Sequence, residues 1–93
     1  MRRAIAHDEE VRLLERLSAE LVRLGVESDL RRSLPGLAVA TDVPGVPLYI
    51  FVSESGNHFD WRNAEMRHPV GDVTGAAERI QGFLHREEAV ERS

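Results

Sequence analysis

No cysteine occurs among the 93 residues, which excludes disulfides, thiolate nucleophiles and cysteine-ligated zinc. Lysine is absent as well: all twelve basic residues are arginine. That removes Schiff-base chemistry and the lysine of phosphate-binding loops, and it reads first as codon usage in a GC-rich bacterial genome. Long apolar runs are missing too. The longest, Leu48 to Val52, is far short of the ~20 residues that span a bilayer. Met1 to Glu10 turns acidic where a signal peptide needs its apolar segment, so a cytoplasmic protein with no membrane association is expected. Basic residues are interleaved with acidic ones and the net charge is −4. No concentrated basic face is available for nucleic acid, and none is expected as a partner.

The chain does hold 42% hydrophobic residues, enough for one domain with a thin core. A domain this size buries roughly 60–65% of its unfolded surface, and self-association is a natural way to bury more. The expected unit is 1–93, with residues 1–6 and 86–93 fraying.

Leu14, Leu17, Leu21 and Leu24 recur at helical spacing, with Val11, Leu13 and Val22 widening the stripe, and predict a helix over Asp8 to Leu24. Asp8, Glu9 and Glu10 suit its N-terminus and Gly25 its left-handed cap. Glu9–Arg12, Arg16–Glu20 and Glu20–Arg23 are placed to pair along its outer side. A second helix is predicted from an Asp72 cap to near His85 or Glu88, carried by Val73, Ala76, Ala77, Ile80, Phe83 and Leu84. Gly75, Gly82 and Ala89 fall on its other face, a stripe that could let another backbone approach closely but reads first as tolerated drift, at the stability cost glycine carries in a helix.

Between the helices, turns are expected at Pro35-Gly36, Pro44-Gly45, Ser55-Gly56 and Asn63-Ala64. They set Val39 opposite Ile50, Leu37 opposite Val52, Val52 opposite Phe59, and Ile50 opposite Trp61. They also set Trp61 opposite Met66, Asp60 opposite Arg67 and Arg62 opposite Glu65. One sheet face then collects Leu37, Val39, Leu48, Ile50, Val52, Phe59, Trp61 and Met66. The other collects Ala38, Ala40, Tyr49, Phe51, His58, Asp60, Arg62, Glu65 and Arg67. A slip by one residue would scramble both sets. Val26 to Ser33 fits as a first, edge strand, with Arg32 awkwardly inward. The predicted fold is α+β: an N-terminal helix, a five-strand antiparallel meander and a C-terminal helix, with both helices on one face of the sheet.

His58, Asp60 and Arg62 alternate along one strand beside Tyr49, a pattern that an imidazole base with an anion-holding arginine would need. On a solvated face, however, pKa tuning has little to work with, and the charges have partners in Arg67 and Glu65. No third ligand converges on His58 and Asp60, so no metal is expected. Gly71 to Gly75 opens a helix, but Asp72 would compete with an incoming phosphate; no cofactor is expected.

The outer face itself is the stronger candidate. Tyr49 and Phe51 stand beside Ala38 and Ala40 with a rim of His58, Asp60, Arg62, Arg31 and Asp29, and an apolar centre with a charged rim suits an interface. A non-catalytic protein-interaction, regulatory or adaptor module is expected, homodimeric through that face. The alternatives are a small-ligand-binding domain, and an enzyme using His58, Asp60 and Tyr49.

Overall fold

The N-terminal helix, α1 (His7–Arg23), starts without a side-chain cap at Ala6, and its three acidic first-turn residues face the helix dipole instead. It ends in a Schellman motif. Gly25, at φ 79°, donates its N–H to the Val22 carbonyl, and Val26 donates to that of Leu21. The computed structural model describes residues 6–41, 43–61 and 66–92. After α1 come five strands, β1 (Ser28–Arg31), β2 (Gly36–Val39), β3 (Leu48–Val52), β4 (His58–Trp61) and β5 (Met66–Pro69), and then α2 (Val73–Arg92). The strands form one antiparallel sheet in chain order.

The predicted sheet faces hold. Leu37, Val39, Ile50, Val52, Phe59 and Trp61 are buried in one cluster with Leu14, Leu17 and Leu21 of α1 and Ala76, Ala77 and Ile80 of α2. Leu48 and Met66 pack against its margin. Both helices therefore bury their stripes against the face that carries Trp61. Among the described residues no helix is long and apolar enough to cross a membrane.

The pairings Ile50–Trp61, Val52–Phe59, Asp60–Arg67 and Trp61–Met66 stand as expected; Arg62 with Glu65, and the Asn63-Ala64 turn, lie outside the described residues. Between β2 and β3 the register differs. Val39 meets Leu48 rather than Ile50, and Leu37 meets Ile50 rather than Val52. Pro44-Gly45 does make the turn, with Gly45 at φ 81° and the Val46 N–H on the Val43 carbonyl. The displacement comes from the arm before it. The Thr41 hydroxyl accepts the Val43 N–H at 3.1 Å and reaches the Val46 carbonyl at 2.8 Å, which draws extra chain into the β2 side of the loop. Because the slip is by two residues, each side chain keeps its face.

Other differences have local causes. The β1–β2 turn spans 32–35, so β1 is shorter than Val26 to Ser33 and Gly36 is a strand residue. Arg32 consequently lies in the turn, not inward, and its guanidinium pairs with Glu15 of α1 at 3.2 Å. Val22 lies outside the core, 64% exposed. Of the three pairs expected along α1 only Glu20–Arg23 closes, at 2.9 Å. The second helix runs on to Arg92, since after Gly82 no glycine or proline interrupts it. Gly75 also has a reason. Asp72 caps α2 by accepting the Gly75 N–H at 3.1 Å, and a Cβ on Gly75 would collide with that carboxylate.

Candidate functional site

The outer face is built from β1 to β5 in order, and small residues on β2 decide its shape. Ala38 lies opposite Tyr49, and Gly36 lies beneath Phe51, whose ring edge is 2.8 Å from where a Cβ of Gly36 would stand. A ring from the neighbouring strand thus fills the place of the missing side chain, a contact that rigidifies an otherwise weak strand position. Tyr49 and Phe51 stack with centroids 6.2 Å apart and planes at 19°. They stay 45% and 43% exposed, whereas Ala38 is buried.

Beside the rings, the β2–β3 loop and the outer side of β1 enclose an open concavity of about 750 Å³. Its apolar wall includes Val22, Val43, Val46 and Tyr49, all large and exposed, together with Ala38 and Ala40. Asp29 and Arg31 on its β1 side pair with each other at 3.0 Å. Neither Val22 nor the loop entered the sequence-based candidates. Val22 looked like a stripe residue, and the loop's alternating Val and Pro carried only a turn signal.

Asp60 is on the outer face but is not solvated. Its strand partners are Phe51 on one side and Arg67 on the other, and its side chain is 15% exposed. Arg67 Nε stands 3.3 Å from Oδ1, yet that oxygen accepts no hydrogen bond. The contact is one of charge, without hydrogen-bond alignment. His58 is half-buried at the start of β4, and no hydrogen bond joins its ring to Asp60. The His58–Asp60–Tyr49 set therefore shares a face without forming an oriented acid–base pair. Arg62 lies outside the described residues. Among those described, no three His, Asp or Glu residues gather as metal ligands.

A histidine–carboxylate pair does occur, at the start of α2. His68 Nε2 lies 2.9 Å from Asp72 Oδ2. The His68 hydrogen bond, followed by the Gly75 N–H, holds the Asp72 carboxyl below its ordinary value of 3.8. Its signal was an inward histidine four residues before a helix cap. With both oxygens engaged, Asp72 occupies the helix N-terminus that a phosphate would need.

Comparison of the chain with family models, curated proteins and solved structures finds no match.

Proposed function

We propose that the chain is a non-catalytic protein-interaction module whose working surface is the outer sheet face, with a second copy as its occupant. One observation carries this: Val22, Val43, Val46 and Tyr49, all exposed, border a single concavity beside Phe51. Scattered exposed apolar residues are ordinary, whereas a contiguous set with a charged rim is what interfaces use. The rings alone are not enough. Complete burial of such a side chain is worth about 1.5–3 kcal/mol, and less than half of each ring is still exposed. Four rings across a two-fold contact then supply only about 3–5 kcal/mol, against association costs of roughly 4–15 kcal/mol. The valines of the β2–β3 loop must join the contact.

The volume of about 750 Å³ also falls in the range of small-molecule sites, roughly 300–1,000 Å³. Such sites bury most of the ligand and converge a few polar groups on it. This concavity is open, and its Asp29–Arg31 pair is already mutually satisfied. The arrangement suits a protein surface better.

Sedimentation at high micromolar concentration tests the proposal. Tyr49→Arg should lower the assembled mass by one step while far-UV circular dichroism stays unchanged, because the residue lies off the core. A mass indifferent to Tyr49→Arg removes the face-to-face contact.

A further inference from the structure

The two edges of the sheet are finished differently. In an antiparallel ladder a residue that exchanges hydrogen bonds with one neighbour turns both backbone groups towards it, and the next residue turns both away. Val70 donates to the Asn57 carbonyl, so along β5 it is Arg67 and Pro69 that face outwards. At these positions only the Arg67 N–H is left without a partner among the described residues. The Arg67 carbonyl accepts Arg79 Nη1 at 2.7 Å, the Pro69 carbonyl accepts the Asp72 N–H at 3.2 Å, and proline has no N–H to offer.

At the other edge, Ala40 donates to the Glu27 carbonyl at 2.9 Å. Asp29 and Arg31 therefore face β2, while the N–H and C=O of Ser28 and Leu30 face away from the sheet. Among the described residues nothing bonds these four groups. An open row of backbone donors and acceptors is a template for another strand.

We infer that β1 pairs antiparallel with β1 of a second copy, with Leu30 on the two-fold axis, joining two sheets into one. Charge selects both the occupant and the register. A register centred on Ser28 sets Asp29 against Glu27 of the other copy. Centring on Asp29 or on Arg31 sets a like charge against itself. Centring on Leu30 places Asp29 of each copy opposite Arg31 of the other, twice, on the outer face, where opposite charges favour pairing. It also brings the two Leu30 side chains together on the core side, where each already packs at the margin of its own cluster. The two Leu30 residues exchange both backbone bonds in that register.

This contact is separate from the face-to-face contact of the preceding section, and the experiment reads them apart. Asp29→Arg and Arg31→Asp are made singly and together in the wild-type and Tyr49→Arg chains, and masses are measured by sedimentation. In the Tyr49→Arg background the parent should be a dimer. Each single charge change should halve its mass, the double exchange should restore it, and a mixture of the two singly changed chains should form mixed dimers. Both substitutions are at exposed residues, so circular dichroism should not move. The amides of Ser28 and Leu30 should exchange hydrogen more slowly as concentration rises. A monomeric Tyr49→Arg parent, a double exchange that fails to restore the mass, or concentration-independent exchange at Leu30 overturns the edge contact. Dimers of equal mass with and without Tyr49→Arg support the edge contact and sink the face contact instead.

Discussion

Trp61 sets two opposing contributions against each other, and one pair of substitutions separates them. The ring is 1% exposed at the centre of the core, with the Arg79 guanidinium 5.7 Å from its centroid. Its Nε1–H is buried and meets no acceptor. Alanine here should cost about 3–5 kcal/mol, the usual loss for a large buried aromatic. Phenylalanine gives up roughly 40 Å² of apolar burial, about 1 kcal/mol at ~25 cal/mol per Å². It leaves a void of roughly 40 Å³, about another 1 kcal/mol at ~24 cal/mol per Å³. It also removes a buried donor without a partner, which costs the wild type about 1–3 kcal/mol. Trp61→Phe should therefore lie within about 1 kcal/mol of the wild type, allowing for some weakening of the Arg79 contact. Urea denaturation is the assay, followed by far-UV circular dichroism because the sole tryptophan is lost. With a slope of roughly 1–3 kcal/mol per molar urea, the alanine midpoint should fall by more than about 1 M and the phenylalanine midpoint by far less. A phenylalanine midpoint close to that of alanine would refute the idea that the indole N–H is a standing cost.

Two further expectations concern α2. Gly82→Ala meets open space and should raise stability by up to about 1 kcal/mol, whereas Gly75→Ala should lower the denaturant midpoint because its Cβ displaces the Asp72 cap; equal shifts would refute the role of Gly75. Asp72 also carries an acid dependence. Its carboxyl is depressed in the folded chain, so its contribution is fully present above its unfolded pKa of about 4 and is lost as pH falls through the folded value. The stability difference between wild type and Asp72→Asn, from urea midpoints at a series of pH values, should shrink as pH falls below about 4; a difference that fails to shrink there contradicts the depressed Asp72 carboxyl.

Much of the fold could be read from the chain because the decisive signals are local. The leucine spacing of α1, the glycine at its end and the two-residue alternation of the strands each act within a few residues, and placing a turn centre at Asn63-Ala64 aligned β4 with β5, with Asp60 opposite Arg67. What escaped depends on groups far apart in sequence or on one side chain inside a loop. Gly36 looks like a turn residue until Phe51 is known to lie on it. Arg32 reads as an inward residue of the edge strand until Glu15 is brought beside it. The hydroxyl of Thr41 moves the β2–β3 pairing by two residues, which no turn preference foretells. The candidate site divides in the same way. Tyr49 and Phe51 on the outer face follow from alternation, whereas Val22 and the loop valines belong to it only because of how the chain closes in space.

The nearly closed edge at β5 limits what the open one can build. With the Arg67 carbonyl covered by Arg79 and proline at position 69, β5 offers an incoming strand a single N–H, and strand addition favours the β1 side. A pair joined through β1 uses up that side in both members and presents the poorer β5 edge at each far end. Sheet growth is therefore favoured only as far as two chains, and an exposed strand that could have seeded a fibre becomes a connection that tends to end itself.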